Sequence, residues 1–473
     1  MLLQMLLQIA LQSIVSRRLG ADQAVDAFEA ATSLPQVIAS MITLPLAAVL
    51  IPLVTRSKER SGENAAWASA SSMAIVVLLG TIALAVMLLV ARPVILPAIY
   101  TMTSAELTIA IDVMGVAVWL IPANAAIALS LGLHHWRGRF ALPAAAGVIG
   151  PAVTLGVLGF EAGAVTVHVL VKALLVGAIT NALIQLLPLV PRFRPTFSAT
   201  AFTAAARLTG PVLLGTIYWK IDPLIDRSIG SAFDEGTVAS LGYCTRVTNA
   251  MAALAAGGLS VVAFPRMSAA AARSPDELAR ETSRALGASL LLLVPLASAW
   301  FLFGDFLIKD LFEGGRFTPA DTARVALFVR CAIGVVIGGS LGEILGRTFF
   351  AQHDTLTPTL IGTACITAGF ALKWVFSLTW GPAGVLIASS LAMVASALIQ
   401  FFVLRKRLGR NLRTFLFSEG IAASLATLQA CVVGWLILRT PIAFPSLFGG
   451  AAGLAVYLGA LYFLRRRRPP TPA

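Results

Sequence analysis

Met73-Ala-Ile-Val-Val-Leu-Leu-Gly-Thr-Ile-Ala-Leu-Ala-Val-Met-Leu-Leu-Val90 carries no charge and no residue more polar than Thr81. As a helix rising about 1.5 Å per residue it reaches about 27 Å, close to the hydrocarbon thickness of a bilayer. A transmembrane barrel strand would alternate apolar and polar residues over about ten positions. This run does neither, so it predicts a membrane-spanning helix whose backbone satisfies itself internally. Similar runs recur from end to end. The 473 residues are 58% hydrophobic and 12% charged, against about 25% charged in soluble domains. The mean hydropathy is +0.88. An all-α polytopic membrane protein of about fourteen transmembrane helices is expected.

The predicted spans are a short first helix (1–16), then 27–54, 66–91, 106–132, 140–159, 163–190, 208–230, 237–263, 283–303, 320–348, 358–378, 382–404, 416–438 and 444–464. No apolar start with a basic flank and a cleavage site marks a signal peptide. The link Gly304–Pro319 has room for one short surface helix, and no link is long enough for a soluble domain. Lys and Arg concentrate in alternate links: Arg56, Lys58 and Arg60; Arg137 and Arg139; Arg192 and Arg194; Arg266 to Arg284; Arg405 to Arg413; and the tail Arg465 to Arg468. The positive-inside rule then places both termini in the cytoplasm. It also accounts for the net charge of +13 through contact with anionic lipid headgroups, with no nucleic acid as partner.

Pro143 and Pro358, Gly147 and Gly362, and the tetrapeptides Ala182-Leu-Ile-Gln185 and Ala397-Leu-Ile-Gln400 are all separated by 215 residues. One constant offset across six spans predicts a parallel repeat, two pseudo-symmetric six-helix lobes, with two C-terminal helices outside it. The boundaries expected are 1–200 for the N-lobe, 201–412 for the C-lobe and 413–473 for the final pair and basic tail.

Charges inside spans need a partner or a wet cavity. The seventh span reads Tyr218-Trp-Lys-Ile-Asp-Pro-Leu-Ile-Asp-Arg227. At 100° per residue Lys220 and Arg227 share a face, and Asp222 and Asp226 lie nearly opposite. Pro223 would free the carbonyl of Trp219 and bend the helix. Lys220 is therefore a candidate anion contact, and Asp222, Pro223 and Asp226 are candidates for gating or ion coupling. One charged face is expected to line a cavity and the other to pair with a neighbouring helix; the alternative is a set of structural ion pairs, with Arg227 snorkelling to the outer surface. Arg246 has no acidic residue within four positions, so its counter-charge is Asp222, Asp226 or a bound anion; its guanidinium fork suits a phosphate or diphosphate. Asn249 and Asp26 complete the substrate-binding candidates. Arg330, Glu343, Lys172, Lys373 and Asp112 read as structural or snorkelling charges. The four cysteines and four histidines show no metal-ligand spacing. No phosphate-binding loop, cofactor motif or catalytic triad is present, so a transporter is expected rather than an enzyme.

Several segments are similar to those of the MviN/MurJ family, the lipid II flippases of the multidrug/oligosaccharidyl-lipid/polysaccharide exporter superfamily. They are Gly20 with Asp26-Ala-Phe28 and Leu34-Pro35-Gln36, Tyr243-Cys-Thr-Arg-Val247, Phe264-Pro-Arg-Met-Ser268, Gly315-Arg-Phe-Thr318 with Asp321-Thr322, and Phe349-Phe-Ala-Gln-His-Asp-Thr-Leu-Thr-Pro358. The resemblance implies fourteen helices and alternating access. It implies an undecaprenyl-diphosphate-linked glycan as substrate, moved from the inner to the outer leaflet of the bacterial cytoplasmic membrane for peptidoglycan or envelope polysaccharide synthesis. Membrane lipids and envelope-synthesis proteins would be its partners.

The chain also departs from the family pattern. Gln4 to Gln12 holds no basic residue, Ala39 stands where a second-helix arginine is expected, Asn249 replaces a glutamate, and the first helix begins late. Three other readings stay open. A multidrug or cation antiporter of the same superfamily would rely on Asp26, Asp222 and Asp226. A degenerate scaffold would have lost transport with the arginines. A membrane glycosyltransferase would need a large external loop that the links do not provide.

Overall fold

The computed structural model describes residues 2–160, 165–193, 220–409 and 456–457, and these are helical apart from short turns. In chain order the helices are α1 (Leu2–Leu19), α2 (Gln23–Ile99), α3 (Ser104–Ala117), α4 (Leu120–Trp136), α5 (Ala141–Phe160), α6 (Val167–Leu186), α7 (Asp222–Gly230), α8 (Thr237–Ala252), α9 (Gly258–Ala271), α10 (Pro275–Phe312), α11 (Pro319–Ala351) and α12 (Leu356–Leu408). Seven helical stretches among the described residues are long and apolar enough to cross a membrane, and within Leu50–Ile99, which contains the opening run, an 18-residue stretch has a mean hydropathy of 2.9. Leu79, Val90, Val94 and Phe160 stand exposed. Such large apolar side chains on an outer surface suit a lipid solvent, not water. The predicted spans 416–438 and 444–464, Cys431 and residues 208–219 lie outside the described residues.

Helix starts follow local chemistry. The Asp22 carboxylate accepts from the backbone N–H groups of Ala24 and Val25 at 3.1 and 3.2 Å, satisfying donors that the first turn of α2 leaves open. Thr103 and Glu106 form a reciprocal capping box at α3. Ser274 caps α10, with Pro275 in its first turn.

Three sequence expectations are corrected here. The first helix runs on to Leu19 and takes in Arg17 and Arg18. The spans 27–54 and 66–91 form one helical run broken at Gly62, where φ is 81°. The charged link continues the helix on both sides, since charged side chains in water do not oppose helical backbone bonding; only the break needs glycine. A break at Gly381 (φ 62°) likewise divides α12. Finally, Gly304–Pro319 holds no surface helix. Instead α10 continues to Phe312, and Gly314 and Phe317 pair across a tight turn.

The described residues fall into two compact units, one drawn from 1–239 with 314–318, the other from 240–313 with 319–473. In the first, α2 packs along α3 and α4, and α5 pairs with α6. Its core joins Leu50, Ala70, Met73, Leu129, Leu133 and Leu189. The second unit is built on α11 against α12, with a core of Ala285, Leu286, Ile344, Phe349, Leu404 and Leu408. Ala70 and Ala285, Leu129 and Ile344, and Leu189 and Leu404 are each 215 residues apart and hold matching core positions. The shared glutamines match too. Gln185 donates to Asn181 at 2.7 Å and Gln400 to Ser396 at 3.2 Å, both one helical turn back.

Helix pairing within each unit depends on small residues, as expected where dispersion replaces the hydrophobic effect. A Cβ on Gly177 of α6 would stand 2.7 Å from the Gly150 carbonyl oxygen of α5 and would also strike Thr154. In the second unit the corresponding approach is Gly369 to Ala392, with 2.9 Å left for a Cβ. Gly177→Leu should therefore destabilise the first unit by about 1–3 kcal/mol, the usual cost of overpacking. A lower melting midpoint of the detergent-purified protein reads this out, and an unchanged midpoint would refute the packing account.

The Asp354 turn between α11 and α12 is held by charge. Asp354 accepts from the Thr357 backbone at 2.9 Å, from its hydroxyl at 2.6 Å and from Arg407 at 2.7 Å. The Thr357 bonds, then Arg407, hold its carboxyl down at about 2, against an ordinary 3.8. A depressed carboxyl stabilises the fold above its unfolded value and stops doing so as the pH falls through its folded one. Asp354→Asn should lower the melting midpoint at pH 7, and the gap to the unsubstituted protein should close as the pH drops from about 4 to about 2.

Candidate functional site

The charged segment of the seventh predicted span starts at Lys220 among the described residues. The chain bends at Ile221, and α7 begins at Asp222 with Pro223 in its first turn. Pro223 therefore sits where a missing N–H costs nothing, not in a helix interior. Its expected partner carbonyl on Trp219 lies outside the described residues. Lys220, Asp222, Pro223 and Asp226 are all half-buried.

Arg227 neither snorkels nor lines a cavity. It donates to Glu29 of α2 at 2.9 Å, and the two side chains are only 9% and 2% exposed. The reason is positional: α7 packs directly on α2. Glu29 is not among the charges that the sequence singles out. Its one signal was an acidic residue inside the second predicted span, three positions after Asp26. Around this pair the polar groups close on each other. Ser33 bonds the Tyr100 hydroxyl, the Ser228 hydroxyl donates to the Ile99 carbonyl at 2.5 Å, and the Thr101 N–H donates to Ser231 at 2.9 Å. Both ends of α2 are thereby tied to α7.

Asp26 is buried and fully engaged. One oxygen accepts from the Gly236 N–H and the other from the Ala239 N–H, each at 2.6 Å. It thus caps α8 from a distant helix, where a carboxylate also suits the positive helix end. Nearby, Glu235 accepts from the Gln23 N–H at 3.2 Å. These groups border an open pocket of about 370 Å³ that Glu106 and Ser231 also line. The family-like segments around Gly20 and Gly315 meet here as well. The Arg316 N–H donates to the Arg17 carbonyl at 2.8 Å, and Arg316 pairs with Asp22 at 3.4 Å. A Cβ on Gly20 (φ 77°) would lie 2.7 Å from the Arg316 carbonyl oxygen.

Arg246 and Asn249 lie on the part of α8 that belongs to the second unit. Arg246 is half-buried, with its guanidinium 5.7 Å from the Tyr243 ring centre. Tyr243 is in turn buried against Phe312, ring centres 5.5 Å apart. Asn249, one turn on, is exposed. Directly after α8 comes a π-helix, Ala253–Gly257, a feature common at functional sites that the Ala/Gly-rich sequence did not signal.

Among the other in-span charges, Arg330 pairs with Asp305 and Glu343 with Arg347. Lys373 is 1% exposed, so it lies in the interior and does not snorkel. Lys172 and Asp112 are exposed. Cys244, Cys331 and Cys365 are free thiols. Among the described residues no three His, Cys, Asp or Glu side chains are placed to hold a metal ion.

Residues 15–457 match the family model described as lipid II flippase MurJ. The chain is 25% identical over 417 residues to the lipid II flippase MurJ of Burkholderia cenocepacia, covering 84% of this chain and 80% of that protein. It is 24% identical over 267 residues to the probable lipid II flippase MurJ of Thermotoga maritima, covering 55% and 53%. Among solved structures, a lipid II flippase MurJ in an inward closed conformation is similar with a TM-score of 0.85 at 19% identity, covering 98% of this chain and 97% of the other. An inward-facing multidrug resistance MATE family transporter gives 0.74 at 16% identity, covering 87% and 96%. At these identities the structural likeness speaks for the fold alone.

Proposed function

Because the chain belongs to the lipid II flippase MurJ family, we propose that it carries lipid II, or a related undecaprenyl-diphosphate-linked glycan, from the inner to the outer leaflet of the bacterial cytoplasmic membrane. It acts there as a transporter, not an enzyme. The chain crosses the membrane about fourteen times, with both termini cytoplasmic. Two six-helix lobes, 1–200 and 201–412, are followed by a helix pair in 413–473. The repeated core positions and glutamine bonds at the 215-residue offset support this two-lobe plan.

The observation that carries the reading is the family match over residues 15–457, with Tyr243-Cys-Thr-Arg246-Val intact within it. Arg246 holds the substrate diphosphate, with its guanidinium oriented on Tyr243. Lys220 supplies a second positive charge, and Asn249 a polar contact one turn from Arg246. Asp222, Pro223 and Asp226 act at the bend as the gating and coupling element. Asp26 acts through α8, because both of its oxygens already accept backbone N–H groups. That occupancy also weakens the cation-antiporter reading, which needs Asp26 available to a cargo cation. Envelope-synthesis proteins remain the expected partners.

Expression in cells depleted of their own lipid II flippase tests the function. Growth should be restored, and lipid II should become accessible at the outer surface. A stably expressed protein that restores neither would favour the degenerate-scaffold reading, which rests on the lack of a basic residue from Gln4 to Gln12 and on the buried Ala39.

A further inference from the structure

The 215-residue offset reaches into the turns as well as the cores, and at one corner the two units solve the same geometry with opposite chemistry. In the first unit the turn after α4 is Trp136-Arg-Gly-Arg-Phe140; in the second the turn after α11 is Ala351-Gln-His-Asp-Thr355. Gly138 and His353, 215 apart, are both left-handed, with φ of 68° and 60°. The Arg139 N–H donates to the His134 carbonyl at 2.8 Å, as the Asp354 N–H does to Phe349 at 3.0 Å. The Arg137 and Gln352 N–H groups repeat the match, at 3.1 and 2.9 Å, to the same two carbonyls.

In the second unit this corner is closed by the ion pair of Asp354 with Arg407. The positions that correspond in the first unit are Arg139 and Arg192. The carboxylate has been replaced by a third basic residue, for Arg137 stands beside them. Arg139 and Arg192 are close enough to push the Arg137 pKa down, after desolvation and against Glu63. Among the described residues, the buried Nη1 of Arg137 meets no acceptor, although its guanidinium lies 5.8 Å from the Trp67 ring centre. Lys58 lies 5.6 Å from the ring centre of Trp136, the edge-on partner of Trp67. Like charges gathered at one corner, with a buried donor left open, call for an anion in the place of the absent carboxylate. Exposed apolar residues flank the cluster, Phe140 at 61%, Leu187 at 64% and Val190 at 59%, so the anion reaches it from a lipid surface.

We propose that Arg137, Arg139 and Arg192 form a binding site for the phosphate of an anionic phospholipid, which takes the structural part that Asp354 plays in the second unit. The full chain, purified in neutral detergent, should melt at a higher temperature with phosphatidylglycerol and not with phosphatidylcholine. Arg139→Asp places a carboxylate against Arg192, as the second unit has it. It should melt higher than the unsubstituted protein without lipid, and should need at least tenfold more phosphatidylglycerol for half its effect. Should that variant fail to fold, Arg137→Gln, which introduces the residue type found at Gln352, should show the same loss of response. Equal responses to the two lipids, or variants responding at the unsubstituted protein's concentration, would overturn the site. Inorganic phosphate matching phosphatidylglycerol at equal ionic strength would overturn the assignment to lipid.

Discussion

Arg246→Ala abolishes growth rescue in flippase-depleted cells while leaving the purified protein folded: this is the largest functional effect expected of any single substitution. Losing a guanidinium that holds a diphosphate removes charge-assisted, two-pronged hydrogen bonds, and truncating one side of such a pair costs about 2–5 kcal/mol. At about 1.4 kcal/mol per decade that is more than tenfold in affinity. The fold should not suffer equally, since Arg246 is only half-buried and its ring contact with Tyr243, at 5.7 Å, is worth about 0.5–1 kcal/mol. Arg246→Lys should rescue poorly, because a point charge does not reproduce the fork. Surface accessibility of lipid II, read beside expression level and melting midpoint, separates the two effects. Under the antiporter reading Arg246→Ala would leave transport almost intact, and that outcome would remove the diphosphate role.

The legible parts of this protein were those written in composition and local order. The run 73–90 could only be a helix in lipid, and the offset of 215 was visible because a few identities survived at Pro143/Pro358 and Gln185/Gln400. The same offset also governs positions with no shared identity. Gly138 and His353 adopt one turn, and Thr154/Gly177 and Gly369/Ala392 make one kind of close approach with the small residue on opposite partners. What the turn and the approach require is a conformation or a volume, which different residues can supply.

The partners of the buried charges were not legible. A helical wheel placed Arg227 on a face, but periodicity carries no information about the helix opposite. Glu29 lies 198 residues away and the Asp26 acceptor bonds span 210 and 213. Asp26 is a ligand candidate by residue type alone, and its backbone partners have no side-chain signature. For the candidate site, sequence marks charged residues inside spans, but it missed Glu29 and does not separate the charges that neighbouring helices already engage, such as Asp26 and Arg227, from the rest.

Arg227→Ala should be the most destabilising single change in the first unit. It would take from Glu29, 2% exposed, its guanidinium partner, and breaking a buried ion pair from one side costs about 3–5 kcal/mol. The loss should not stay local, because α7 and the residue after it also hold the C-terminal end of α2 through Ser228 to Ile99 and Ser231 to Thr101. Glu29→Ala should cost a similar amount by stranding the guanidinium. The double change Glu29→Leu with Arg227→Leu should recover most of the stability, since neither charge then needs solvation and apolar volume fills the site. Melting midpoints of the two single variants and the double variant form the test. If the double variant fell by the sum of the single effects, Glu29 and Arg227 would be acting independently. If the double variant melted normally yet failed to restore growth, the pair would be needed for movement as well as for stability, because an apolar contact can hold α7 against α2 but gives up the directional hydrogen bond that an ion pair makes and breaks.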